Sequence, residues 1–244
     1  MKIASQSKVR VRNPIEFFTM PQEYQDLVLH QLRQHTEGEL IGADDYLVFF
    51  YPLAPDAFER RVCCERASEE LDHYMRGAAV LKDIGFDASS MLQQNIEQRQ
   101  FYKTEGVVKV DNWLKRGLFS FVGEAAVLAH IEEMAHSSYL PIAEMTRQVI
   151  IDEYGHVAHG QRIVEEYIKK NGPEAAQSDF EIAWSMSLDL FGKSDSERSK
   201  AYVHWGLRQY SNQDARENYI EKMTPKLEAL GLRIPTDTAL RKFI

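Results

Sequence analysis

Three Glu-x-x-His tetrads punctuate the chain, at Glu70–His73, Glu133–His136 and Glu153–His156. On a helix, residues three apart share a face with Cβ atoms about 5–6 Å apart, so each tetrad offers a carboxylate and an imidazole to one cation. Two of the three also have an acid at hairpin distance. Glu39 precedes Glu70 by 31 residues, and Glu124 precedes Glu153 by 29. Equivalent acids of the two sets lie 85 and 83 residues apart, a pseudo-repeat of function without an obvious repeat of sequence. A Glu from each of two helices plus Glu-x-x-His from each of two others can hold two metal ions in a helix bundle. Glu39, Glu70, His73, Glu124, Glu153 and His156 are therefore the expected metal ligands and catalytic set. To first order the first three hold one ion and the last three the other, with one or two glutamates bridging.

The third tetrad is set aside. With eight histidines in an acidic chain, about one such tetrad is expected by chance. His136 also falls where Ser137-Ser138 and Pro141 should end its helix, roughly 18 Å along the axis from the level of Glu124. Glu37 is an alternative to Glu39, which keeps the two hairpins closer in length. Glu69 and Asp152 reach one turn ahead to His73 and His156, as carboxylates that accept from a ligand imidazole; solvated side chains are the other reading. His159 reads as a surface or internally satisfied histidine. Tyr74, Phe101, Tyr102 and His130 are candidates to line a substrate pocket, with plain packing as the alternative, and Phe119-Ser120-Phe121 reads as core.

Positioning these residues takes long helices. Pro21 should open the first, running through Leu27, Leu29 and Leu32 to about Gly42. Leu47–Tyr51, followed by Pro52 and Pro55, reads as a buried connection. A second helix opens at Pro55-Asp56, carries Glu70 and His73 and ends near Gly85; a shorter one follows around Ser90–Phe101. Asp111 is the expected N-cap of the third, and Pro141 starts the fourth, which stops at Asn171-Gly172-Pro173. Further helices are expected at about 174–191, 194–210 and 212–230. No period-two alternation argues for a sheet, so the fold class is all-α: a four-helix bundle of two antiparallel hairpins with additional C-terminal helices. Residues 1–20 are expected as an arm and 21–244 as one helical domain, with the core bundle at about 21–172 and accessory helices at about 174–244.

The net charge of −8 argues against nucleic acid as a main partner. No apolar run is long enough to span a membrane, and Met1–Lys8 lacks the apolar stretch of a secretory signal. Adjacent Cys63 and Cys64 are poor partners for each other and read as reduced thiols, so a cytoplasmic location is expected. Carboxylate and imidazole donors suit iron and also manganese. The chain has no nucleotide-binding glycine motif and no four-Cys cluster, so electrons for any O2 chemistry must come from an external donor, a separate reductase.

Beyond the six donors, the chain resembles the phenylacetic acid catabolic di-iron family, which includes the oxygenase component of phenylacetyl-CoA epoxidase. The likeness runs through Gln34–Gly42, Glu69–His73, Ser138–Pro141 and Asp152–His156, and into Leu190–Gly192 and Leu227–Leu232. The resemblance implies a ferritin-like fold, two Fe ions, and O2-dependent monooxygenation of an organic substrate, foremost an aryl- or acyl-CoA thioester. It also implies an oligomer with a paralogous structural subunit. The family's ligand pattern falls on the same six residues, and a complete set argues for the catalytic type. Two departures stand out. Glu124 replaces an Asp, and Phe101 replaces a lysine associated with the CoA moiety; a second basic position corresponds to Arg66. A non-CoA substrate such as an amine or a secondary metabolite, iron storage, and a metal-free scaffold subunit are the competing expectations.

Overall fold

The computed structural model describes residues 9–95, 98, 110–236 and 241–243. Most of these residues are helical, with one isolated bridge, Val11 to Tyr139, and no strand among them. A short helix α1 (Pro14–Phe17) precedes α2 (Gln22–Asp44), whose buried face reads Tyr24, Leu27, Val28, Gln31, Leu32, then Glu39 and Leu40. The expected connection after α2 is instead helical. Asp45–Phe50 forms a π-helical segment that continues into α3 (Tyr51–Leu53). The wider π turn gives room ahead of Pro52, whose ring would clash with a carbonyl of a regular α turn.

Helix α4 (Ala57–Asp83) starts where Asp56 accepts the Glu59 amide at 2.9 Å. Its buried face carries Glu59, Val62, Cys63, Ala67, Glu70, His73, Tyr74, Gly77 and Leu81, so a mainly apolar stripe holds the Glu70–His73 pair at mid-length. Helix α5 (Ser89–Leu92) follows. Asn112, not Asp111, caps α6 (Trp113–Leu118) by accepting the Lys115 amide at 2.9 Å, while Asp111 pairs with the Lys115 ammonium. A second π segment, Phe119–Glu124, leads to α7 (Ala125–Met134). Helix α8 (Leu140–Asn171) ends at Gly172, whose φ of 83° suits glycine. Helices α9 (Glu174–Asp189), α10 (Glu197–His204) and α11 (Asn212–Ala229) complete the fold.

Apolar clusters bracket the polar layer along the central helices. On α4, Cys63 and Ala67 pack with Tyr46 and Phe50 on one side of Glu70 and His73, and Tyr74 and Leu81 join a second cluster on the other. On α8, Ile142 and Met145 lie before Glu153 and His156, and Val164 lies after them. The C-terminal helices also grip the bundle: Tyr219 of α11 donates to the Val122 carbonyl at 2.7 Å, pinning the second π segment. Close approach there depends on Gly160 of α8. A Cβ on it would lie 2.5 Å from the Phe121 nitrogen and 2.8 Å from the Gly117 carbonyl oxygen. Among the described residues no helix is long and apolar enough to cross a membrane.

Candidate metal centre

Antiparallel packing of α2 with α4, and of α8 against both α4 and α6, brings the acidic face of each hairpin to one level. Glu39, Glu70, His73 and Glu153 each offer a donor atom within 4.8 Å of the others. All four are buried, and His156 has no exposed surface. Glu39, not Glu37, enters the group.

The two central glutamates face both imidazoles. Glu70 places one oxygen 3.2 Å from His156 Nδ1 and the other 3.8 Å from His73 Nδ1. Glu153 does the converse, at 3.3 Å from His73 and 3.8 Å from His156. Glu39 lies at one end, 3.1 Å from His73 Nδ1 and 2.9 Å from His35 Nδ1. A Cβ at Gly42 would lie 2.9 Å from the Glu70 carboxyl carbon, so a larger residue would displace that carboxylate.

The outer nitrogens are anchored crosswise. His73 Nε2 donates to Asp152 at 3.2 Å, and His156 Nε2 donates to Glu69 at 2.9 Å, which also pairs with Arg66 at 2.6 Å. The expected partners along the same helix are therefore exchanged between hairpins. Each outer nitrogen points across the α4–α8 groove, where the partner helix supplies the nearer carboxylate.

The electrostatics describe a site short of positive charge. Burial, together with the charges of Glu153 and Glu39, pushes Glu70 up to about 8. Glu153 is pushed up as well, chiefly by burial. Burial would raise Glu39 too, but His35 and His73 hold it well below the usual carboxylate range. Burial disfavours the charged form of both histidines, yet the surrounding carboxylates raise them well above the ordinary range. Glu69 is lowered to about 2 despite burial, through His156 and Arg66. Protons thus stand in for a cation.

A cation fits this donor set. With Nε2 committed to Glu69, the Nδ1 atom of His156 faces carboxylate oxygens yet has no hydrogen-bond partner. A lone pair opposite carboxylates is repulsive unless a proton or a metal lies between, and a carboxylate on the outer nitrogen is the arrangement that orients a metal-binding histidine.

Glu124 is placed differently. It borders the same cavity as Glu39, Glu70 and Glu153 but stands outside the four-residue group, with its carboxylate accepting the Tyr46 hydroxyl at 3.1 Å. His130 borders that cavity too, and its Nδ1 accepts from Arg208 at 3.0 Å. Arg66 and Tyr74 do not border it: Arg66 lies on Glu69, and the Tyr74 hydroxyl donates to the Ala88 carbonyl. Phe101 and Tyr102 lie outside the described residues. His159 is buried and satisfied, 2.7 Å from Glu59. In the third tetrad Glu133 accepts the amides of Gln209 and Tyr210 and pairs with Arg208, while His136 is exposed. Sequence reasoning missed His35 and Tyr46 as contacts of the acids. The four-residue step from His35 to Glu39 could have exposed the first.

The cavity measures about 1410 Å³; besides the carboxylates, Phe119, His130, Met186, Phe191, Lys193, Arg198 and Arg208 border it.

An all-α bundle with carboxylates and imidazoles converging at mid-depth defines a ferritin-like protein whose core can hold metal. The chain belongs to the phenylacetic acid catabolic protein family, which matches residues 16–243. One curated relative is a named component of the 1,2-phenylacetyl-CoA epoxidase of Escherichia coli (strain K12). It is 20% identical over 225 residues, spanning 88% of this chain and 71% of that protein.

Proposed function

We propose that this chain is the oxygenase component of a di-iron monooxygenase whose substrate is an aryl- or acyl-CoA thioester. The observation that carries the reading is the pair of histidines, each anchored through Nε2 to a carboxylate of the opposite hairpin and turning Nδ1 onto Glu70 and Glu153. Glu39, Glu70, His73, Glu153 and His156 would hold the metal, with Glu124 at the edge of the set. Iron there would supply reductive activation of O2; manganese suits the same donors.

The chain's own part is to bind, orient and exclude water. The acids Glu39, Glu70, Glu124 and Glu153 border one cavity, through which the substrate reaches them, and a substrate filling it displaces water from the reacting centre. At about 1410 Å³ it exceeds the roughly 300–1,000 Å³ usual for small-molecule pockets, room suited to a long thioester. The basic groups Lys193, Arg198 and Arg208 also border the cavity and suit the phosphates of such a substrate. Monooxygenation puts one oxygen atom into the substrate and the other into water, consuming two electrons and two protons. A separate reductase must deliver those electrons. The relative is named as one component of an epoxidase with several, which supports a paralogous structural partner here.

The test is metal content after anaerobic purification, then Fe(II) titration, then O2 uptake with and without aryl-CoA thioesters. About two irons per chain and thioester-dependent O2 consumption support the proposal. Two irons with uptake driven by an amine and not by thioesters would replace the substrate, and no stoichiometric metal would leave a scaffold role.

A further inference from the structure

The two end carboxylates are held differently, although they occupy equivalent places in the two hairpins. Glu39 sits inside the donor group, between His35 and His73. Glu124 stands outside it, against a phenol. Tyr46 is fully buried, and its hydroxyl lies 3.1 and 3.4 Å from the two Glu124 oxygens. Its ring stands edge-on to His156 at 5.6 Å, so the tyrosine touches both Glu124 and the second histidine.

The phenol is itself clamped. Arg116, also fully buried, donates from Nη2 to the Tyr46 oxygen at 3.3 Å. Because that oxygen already accepts from a cation, its own proton is directed at Glu124. The guanidinium lies over the rings of Tyr46, Phe50 and Trp113 at 5.3–5.4 Å, a cage in which it has little freedom to leave. The same Nη2 makes a second contact. Arg116 donates to His159 Nδ1 at 3.3 Å, His159 Nε2 donates to Glu59 at 2.7 Å, and Glu59 accepts from Arg162 at 2.5 Å near the surface. Tyr46 stands on one π segment and Glu124 ends the other, so the contact ties the two irregular turns of the bundle together.

We propose that Tyr46, clamped by Arg116, is a positioning residue that holds Glu124 off the carboxylate–histidine group, so that the two metal ions bind in unequal steps. The first ion uses Glu39, Glu70, His73 and Glu153, which are already gathered. The second uses His156 and requires Glu124 to give up the Tyr46 hydroxyl. This inference rests on the metal reading proposed above.

The experiment is cobalt(II) titration of the full chain under anaerobic conditions, followed by calorimetry and by the visible d–d bands. Wild type should bind in two resolved steps. Tyr46→Phe removes only the hydroxyl. It should leave the first dissociation constant within about twofold and tighten the second by about tenfold, the low end for a hydrogen bond to a charged group because Glu124 borders a cavity that water can enter. Glu124→Gln should lose the second step, with its d–d change, and keep the first. A tyrosine with a merely structural role would move both constants together. The inference is overturned if Tyr46→Phe leaves the second constant unmoved or weakens it, or if Glu124→Gln retains both steps. No cobalt bound by wild type would instead sink the metal reading itself, and this inference with it.

Discussion

Two glycine substitutions separate helix propensity from packing at the contact that sets the second π segment. Gly38 and Gly160 both lie inside helices, α2 and α8, and neither has a positive φ. A Cβ at Gly38 meets nothing within 4 Å, so Gly38→Ala should stabilise the protein by about 0.5–1 kcal/mol through backbone entropy alone. Gly160→Ala gains the same propensity but drives its methyl to 2.5 Å from the Phe121 nitrogen and the Ser120 Cβ. Those are atoms of the neighbouring chain segment, not the free end of a flexible side chain. Restoring ordinary contact requires the segments to part by roughly 1 Å, and a gap of that order forfeits a quarter to a half of each dispersion well. Overpacking of this kind costs about 1–3 kcal/mol. Gly160→Ala should therefore fall below Gly38→Ala by that amount. At about 2–4 °C per kcal/mol for a chain of this size, the two melting temperatures should differ by roughly 2–12 °C. Urea denaturation followed by far-UV circular dichroism gives the free energies, and an unchanged m-value confirms that the same surface unfolds. If Gly160→Ala proves as stabilising as Gly38→Ala, the close approach of α8 to the π segment is wrong, and with it the placement of Glu124.

Four further outcomes are expected. Glu133→Ala leaves the Gln209 and Tyr210 amides and the Arg208 charge without their acceptor, and should cost about 3–5 kcal/mol in denaturant melts. Exposed His136→Ala should stay within about 0.5 kcal/mol, and cobalt binding by that variant should be unchanged if the third tetrad is no metal site. Fe(II) or cobalt(II) at about a thousand times its dissociation constant should add ~4 kcal/mol, a rise of roughly 8–16 °C in Tm that a chelator reverses; an unmoved Tm would refute metal binding to the folded chain. His130 is lowered from 6.5 to about 3 by burial and by Arg208. Below about pH 6.5 the unfolded chain takes up a proton that the folded chain refuses, so this part of the stability is present above that pH and lost as pH falls toward 3. His130→Gln should flatten the acid limb of the stability–pH curve, and an unchanged slope would refute the assignment.

The convergence of Glu39, Glu70, His73 and Glu153 was legible because it follows local rules. Three-residue spacing on a helix fixes which side chains share a face, and equal hairpins fix the level at which faces meet. Asp56, Pro141 and Gly172 likewise mark helix ends through chemistry that acts over a few residues. What was not legible depends on partners distant in sequence. Arg66 could be matched to a substrate position by likeness alone, whereas in the fold its guanidinium lies on Glu69, and Tyr74 spends its hydroxyl on the Ala88 carbonyl. The π segments left no periodic mark: Asp45–Phe50 is an apolar run ahead of a proline, a pattern shared by loops and strands. Tyr46 was hidden for that reason, since its role exists only once the segment is wound and set against Glu124.

The crossed anchoring has a consequence for how the site and the fold depend on each other. His73 belongs to the first hairpin and its anchor Asp152 to the second; His156 belongs to the second and its anchor Glu69 to the first. Neither hairpin therefore supplies the carboxylate on the outer nitrogen of its own histidine. If each carboxylate served the histidine on its own helix, half of the donor set could be prepared before the hairpins met. Here the outer Nε2 atoms meet their carboxylates only when α4 and α8 are docked, the same packing that sets Glu70 and Glu153 among like charges. Docking thus creates the electrostatic cost and the geometry that a metal needs in one step. A cation that binds there stabilises the packed bundle and not its separate halves. That coupling gives a physical reason for a polar layer in the middle of a helical core, where apolar residues at the same positions would pack with less strain.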